Sequence, residues 1–329
     1  MRKVLVTTDR LGEDGLARLA RHAEVVEGWR LDEKGLQAVL PQVDAALVLG
    51  WPGYFNRENL AGMKRLRFIQ TMSVGVNQVR FQDLPAKVTV CSNAGAYSTA
   101  VGEHAWGLLL AAAKWIPQTD AAIKTGGGTI ESFRGGVKDT LVLKGGTIGI
   151  IGYGGIGRAV ARFALAFGMS VVAFGRRGGG GRGVRLYRGP TGLDKILKLS
   201  DAALISVPLT KLTQGLIGSR ELGLMKKNAV LVNVARGDIV DEGALYERLK
   251  ANPSFRYATD VWWYKEGKET LTSALPIAKL PNFVGTPHTS GPAGVAEGEP
   301  QKAAVRNTIR YLCGIKPKNV MKPSEYVDG

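Results

Sequence analysis

The sequence predicts an α/β protein of two doubly wound domains, each a parallel sheet with helices on both faces. Three observations carry this reading. Short apolar, β-branched runs recur along the chain, helix-length segments separate them, and one long apolar helix divides them into two sets. A length of 329 residues suits about two domains.

The first set comprises KVLVTT (Lys3–Thr8), AALVLG (Ala45–Gly50), RFIQTM (Arg67–Met72) and VTVCSN (Val88–Asn93). The dividing helix is STAVGEHAWGLLLAAAKWI (Ser98–Ile116), too long and too apolar for a strand. The second set comprises TIGIIG (Thr147–Gly152), SVVAFG (Ser170–Gly175), AALISV (Ala202–Val207), AVLVNV (Ala229–Val234), YATDV (Tyr257–Val261) and FVGTPH (Phe283–His288). The tail EPQKAAVRNTIRYLCG (Glu299–Gly314) has a helical pattern and is expected to return to the first domain.

Composition excludes several classes. The chain is 45% hydrophobic and 22% charged, ordinary for a globular protein. Its longest strongly apolar run, Ala105–Ala113, falls well short of the roughly 20 residues a membrane helix needs. The opening MRKVLVTTDR reads as a strand followed by charge, unlike a signal peptide. Cys91 and Cys313 suggest no disulfide framework. A cytoplasmic protein with no membrane partner and no metal is expected.

The net charge is +16, and +9 of it falls in Val101–Ser200. The stretch AFGRRGGGGRGVR (Ala173–Arg185) has four arginines, six glycines and no acid. Such a stretch suits nucleic acid or a small anion. Single-strand binding wants stacking aromatics or a broad basic surface, and only Tyr187 is near. No nucleic-acid partner is expected.

A small anion is favoured by what precedes the stretch. In TIGIIGYGGIGRAVARFALAFG, Gly152, Gly154 and Gly157 form G-x-G-x-x-G between an apolar strand and an amphipathic helix. This context suits a dinucleotide, whose pyrophosphate would meet bare backbone and a helix N-terminus. NAD sites usually place an acid about 20 residues on, to bind the ribose 2′-hydroxyl. Here that position is Gly175, followed by Arg176 and Arg177, whose guanidiniums could bind a 2′-phosphate. NADP is therefore the expected cofactor, with NAD the alternative.

Three further fragments matter: NVARGDIVDEGAL (Asn233–Leu245), ATDVWW (Ala258–Trp263) and TPHTSG (Thr286–Gly291). With the glycine loop, and with SVGVNQV (Ser73–Val79), VGEHAWGLLLAAAK (Val101–Lys114) and SVPLTKLTQGLI (Ser206–Ile217), the chain resembles the D-isomer-specific 2-hydroxyacid dehydrogenase family through most of its length. The resemblance implies a Rossmann cofactor domain over 98–291 and a smaller flavodoxin-like substrate domain over 1–97 plus 292–329. It implies that Arg236, in the A-R-G motif, holds the substrate carboxylate, and that His288, in T-P-H, is the acid/base.

The chemistry agrees. A 2-oxoacid needs a cation for its carboxylate and a proton donor for its carbonyl oxygen. Arg236 and His288 both fall at predicted strand ends, the ligand edge of such sheets.

By the same resemblance, Val74 and Gly75 present backbone N–H groups to the carboxylate. Asp260 holds the nicotinamide carboxamide, and Val207, Pro208 and Thr213 form the cofactor wall. The remaining cofactor positions are Gly155 and Ile156 in the loop, Val234 and Ala235 before Arg236, and Ser290 and Gly291 after His288. His22 and His104 are expected to be structural.

The pattern departs from the family once. The family's glutamate stands 29 residues after the arginine, which lands on Lys265 in DVWWYKEGKE (Asp260–Glu269). Glu266, one place later, is taken as the third catalytic residue, with Glu269 or no carboxylate as alternatives. The function expected is NADP-preferring reduction of small, glyoxylate- or hydroxypyruvate-like 2-oxoacids by a homodimer. The alternatives are a different hydride donor such as formate, or a non-catalytic dinucleotide sensor.

Overall fold

The computed structural model describes residues 1–126, 130–131, 140–176, 180–265, 268–271, 273–291 and 298–326. The chain divides into two compact units, Met1–Tyr97 with Pro292–Gly329, and Ser98–Gly291.

The first unit holds strands β1 (Lys3–Val6), β2 (Glu24–Glu27), β3 (Ala45–Val48), β4 (Phe68–Thr71) and β5 (Thr89–Cys91) in the order β2-β1-β3-β4-β5, all parallel. Helices α1 (Gly12–Ala20), α2 (Glu33–Val39) and α3 (Arg57–Gly62) connect them. β3 and β4 are wholly buried, as expected of inner parallel strands covered on both faces. Leu5, Ile69, Phe55, Leu60 and Met63 pack on one side of the sheet. On the other, Val4, Val6, Leu47 and Phe68 pack with Ala304 and Val305 of the C-terminal helix Glu299–Leu312.

The second unit opens with α4 (Ser98–Lys114), two residues shorter than its apolar pattern suggests. It stops because Trp115 takes a left-handed φ of 58°, and α5 (Ile116–Lys124) starts anew. The sheet that follows holds β6 (Thr147–Ile151), β7 (Ser170–Phe174), β8 (Val184–Tyr187), β9 (Ala202–Ile205), β10 (Val230–Asn233) and β11 (Arg256–Thr259). A two-stranded ribbon, β12 (Tyr264–Lys265) with β13 (Lys268–Glu269), stands apart, and β14 (Phe283–Gly285) closes the main sheet in the order β14-β11-β10-β9-β6-β7-β8. All seven main strands are parallel. From central β6 the chain builds outward through β7 and β8, then crosses back to β9. That reversal opens a crevice beyond the carboxyl ends of β6 and β9, the binding position of such sheets. Helices α6 (Gly155–Ala166), α7 (Pro190–Leu199), α8 (Ser219–Leu224) and α9 (Glu242–Ala251) lie along this unit, and α10 is the C-terminal helix Glu299–Leu312 of the first.

β2 and β8 lack the continuous apolar run that marks the other strands. Both are edge strands, no residue of either is fully buried, and half-exposed edges tolerate charge. β8 claims Val184 and Arg185 of the Arg/Gly stretch, and Arg185 stacks over the Tyr187 ring at 5.7 Å.

Candidate active site

At the switch point β6 ends at Ile151 and the glycine loop begins. Gly152 has φ +101°, and a Cβ there would lie 2.8 Å from the Ser206 carbonyl. A Cβ at Gly157 would lie 2.3 Å from the Gly152 oxygen. These two glycines permit the tight turn and the close helix-to-strand approach. Gly154 faces open space. As the cap of α6 it contributes no side-chain hydrogen bond, so Gly155, Ile156 and Gly157 begin the helix without one. A bare helix N-terminus above a glycine turn fits a dinucleotide pyrophosphate.

Gly175 follows the last residue of β7, and a Cβ there would make only ordinary contacts, 3.7 Å from the Tyr153 nitrogen. The site thus has room for an acid and carries none. Arg176 is exposed beside it; Arg177 lies outside the described residues. Gly181 passes beneath Tyr153, where a Cβ would stand 2.7 Å from the hydroxyl. Across the switch point Val207 and Pro208 lead into a turn closed by Thr213, whose Oγ1 donates to the Pro208 carbonyl at 2.6 Å and accepts from the Thr210 N–H at 2.8 Å.

The arginine corner is built by Asn233 at the end of β10. Its Oδ1 accepts from the Ala235 N–H at 3.0 Å, and its Nδ2 donates to the Arg236 carbonyl at 2.9 Å. This buried asparagine has no place in the sequence reading, although Asn at a strand end is a known turn-maker. Val234 is buried and Ala235 half-buried. Arg236 donates through Nη1 to the Ala235 carbonyl at 2.6 Å, and its buried Nε has no protein partner. Gly237 is obligatory, since a Cβ would lie 2.3 Å from the Trp262 carbonyl. That contact brings the corner against the segment leading to the β12–β13 ribbon.

His288 follows β14 with a φ of 55°, unusual for a residue with a side chain. Asp260 holds this turn in place. Fully buried, it accepts from Thr286 Oγ1 at 2.6 Å, from the Thr289 N–H at 2.9 Å and from the Ser290 N–H at 2.9 Å. Both its oxygens therefore serve the histidine turn. A contact to the nicotinamide carboxamide would be made in addition to these three bonds. His104 Nε2 lies 2.8 Å from Thr286 Oγ1 and 3.5 Å from Asp260 Oδ1, which extends the support to α4. The Trp262 indole donates to the Thr286 carbonyl at 2.9 Å. Gly291 ends the unit.

The carboxylate that meets His288 is Glu269. His288 Nδ1 donates to Glu269 Oε2 at 2.6 Å, and the Trp262 N–H donates to Oε1 at 2.8 Å. Glu266 lies outside the described residues. The displacement from the family spacing has a structural cause. The chain after Trp263 turns out and back as an antiparallel ribbon, pairing Tyr264 with Glu269 and Lys265 with Lys268. Four residues are taken up by the ribbon, and the acid arrives at its returning strand.

Burial pushes the Glu269 carboxyl up. The His288 and Trp262 hydrogen bonds, with the fields of His288 and Arg236, outweigh it and hold the group below the usual carboxylate value. A carboxyl lowered on folding contributes stability above its unfolded value, about 4.3, and loses it as pH falls through the folded one. Glu269→Gln should therefore melt below the wild type near pH 5–6 by a margin that shrinks as pH falls below about 4. A margin independent of pH in thermal melts would show that the pair carries no such linkage. At neutral pH the same variant should lose about tenfold or more in kcat, as the carboxylate that orients the imidazole goes.

Val74 and Gly75 lie in the first unit, on the turn after β4. There Ser73 Oγ donates to the Gly75 carbonyl at 2.7 Å, and Val74 is 37% exposed. His22 lies in the same unit, its Nδ1 3.6 Å from the Cys313 sulfur. Among the described residues no group of His, Cys, Asp or Glu could hold a metal, and no helix is long and apolar enough to cross a membrane.

Comparison with known proteins shows the family. A family model described as D-isomer specific 2-hydroxyacid dehydrogenase, NAD binding domain, matches residues 106–290. A D-3-phosphoglycerate dehydrogenase of Methanocaldococcus jannaschii is 35% identical over 309 residues, 92% of this chain; the chain spans 55% of that enzyme's length. A glyoxylate reductase of Thermococcus gammatolerans is 32% identical over 98% of this chain and 96% of its own. A crystal structure of a provisionally assigned formate dehydrogenase from Pyrobaculum aerophilum superposes with a TM-score of 0.83 at 31% identity, covering 99% of this chain and 100% of that one.

Proposed function

Because this chain belongs to the D-isomer-specific 2-hydroxyacid dehydrogenase family, we propose that it reduces small 2-oxoacids to D-2-hydroxyacids with NADPH. The observation that carries the reading is the 2.6 Å bond from Glu269 to His288, in a site that also holds the unpartnered Nε of Arg236. Arg236 grips the substrate carboxylate as a two-pronged donor and orients the carbonyl. A nicotinamide dinucleotide, when bound, would supply the hydride for C2. His288, tied to Glu269 through Nδ1, presents Nε2 to the carbonyl oxygen and gives it a proton; in oxidation it takes the proton back. Glu269 fixes the ring and offsets its charge.

The cofactor is proposed to lie on Gly152, Gly154, Gly155, Ile156 and Gly157, along the wall of Val207, Pro208 and Thr213, and against Val234 and Ala235. Asp260 and Ser290 are proposed to act by holding the turn that bears His288. Formate, the substrate named for one structural relative, has no ketone oxygen to protonate. The His288–Glu269 pair therefore favours the 2-oxoacid. A homodimer is part of the reading and rests on family membership alone. Assay of glyoxylate, pyruvate and hydroxypyruvate with NADPH tests it. Turnover of at least one is expected; turnover of none, with formate reducing NAD or NADP, would replace it.

NADPH preference is supported by Gly175, where an acid would fit, and by Arg176 and Arg177 beside it. Replacing both arginines with alanine should raise the KM for NADPH while leaving NADH within about twofold. Each lost charge-assisted contact costs about 1.5–3 kcal/mol, roughly ten- to hundredfold. Equal use of both cofactors by the wild type would make these arginines ordinary surface charge.

A further inference from the structure

We propose that Tyr264 is a specificity-determining residue, its hydroxyl placed to hydrogen-bond a hydroxyl on C3 of the substrate. The inference deepens the reading above and rests on it. It starts from the ribbon that displaces the glutamate. Tyr264 and Glu269 are paired directly across β12 and β13, and residues so opposed project from the same face. Glu269 reaches His288 from that face. Tyr264 therefore emerges beside the acid/base pair, while Lys265 and Lys268 share the opposite face.

The base of the ring is fixed. The Tyr264 backbone N–H donates to the Asp238 carboxylate, and the Thr270 N–H donates to the Trp263 carbonyl at 3.4 Å. The residue is nevertheless 41% exposed, so part of it can meet a small molecule. The charges of Arg236, Glu269 and Asp238 act on the phenol. Burial pushes its ionisation up, so at neutral pH the hydroxyl keeps its proton and can donate.

The substrate's atoms are allotted in turn. C1 carries the carboxylate and goes to Arg236. The C2 oxygen goes to His288. What remains to meet Tyr264 is the C3 substituent. A phenol there favours 2-oxoacids with a C3 hydroxyl over those with hydrogen or methyl at that end.

The test is kcat/KM for hydroxypyruvate, pyruvate and glyoxylate at saturating NADPH, for wild type and Tyr264→Phe. The phenylalanine should lower the hydroxypyruvate value about three- to tenfold, the worth of one neutral hydrogen bond, mostly through KM. The pyruvate and glyoxylate values should stay within twofold. The ratio between substrates cancels any difference in the fraction of folded enzyme. An equal loss on all three would place Tyr264 with Arg236 on the carboxylate and overturn the inference. So would an unchanged hydroxypyruvate value. If the wild type reduces none of the three, the proposed function itself fails and this inference falls with it.

Discussion

His288→Ala is expected to lower kcat for 2-oxoacid reduction by about 10²–10⁴-fold, the usual worth of a positioned general acid. The KM for the 2-oxoacid should change far less, because the carboxylate is held elsewhere. One feature of the backbone complicates the alanine variant. His288 has a φ of 55°, and alanine pays the left-handed penalty without the hydrogen bond to Glu269 that accompanies it. Asparagine tolerates that conformation but cannot supply the proton. Both variants should therefore be slow, and His288→Asn should melt closer to the wild type. Near-normal turnover in a folded His288→Asn enzyme would remove the imidazole from the chemistry.

Arg236→Ala is expected to damage binding and turnover together. The guanidinium makes two charge-assisted contacts to the carboxylate in the proposed complex, each worth about 1.5–3 kcal/mol. Their loss should lower kcat/KM by about 10²–10⁴-fold. The effect should appear in kcat as well as KM, because a substrate held loosely is also misaligned. Arg236→Lys should recover only part of the loss, since an ammonium keeps the charge and not the fork. An unchanged KM in Arg236→Ala would place the carboxylate on other groups.

The parts of this site that the sequence made legible are those whose chemistry is local. Gly152, Gly154 and Gly157 could be read because a strand, a tight turn and a helix start must follow one another without a gap. Arg236 and His288 were reached through the A-R-G and T-P-H motifs of the family resemblance, and their places at strand ends suit a ligand edge. Glu269 was only one of two candidate glutamates, since a count along the chain does not register the β12–β13 ribbon that carries residue 269 to His288. Asp260 was legible, but its hold on the histidine turn was not. Its three bonds to residues 286–290 join positions far apart in the chain, and no local pattern reports them. Gly237 likewise looks like any glycine after an arginine until the Trp262 backbone is placed against it. In the fold, buried strands announced themselves by continuous apolar runs. The edge strands β2 and β8 did not, because no residue of either is fully buried.

The central claim is that this site delivers a hydride to C2 of a 2-oxoacid while His288 protonates the oxygen. Deuteride transfer tests it most directly. The protein would be incubated with NADPH deuterated at C4 on both faces and with pyruvate or hydroxypyruvate, and the 2-hydroxyacid analysed by mass spectrometry and chiral chromatography. The account predicts one deuterium on C2 and the D enantiomer in excess. A 2-hydroxyacid without deuterium at C2, or no 2-hydroxyacid at all, would contradict it.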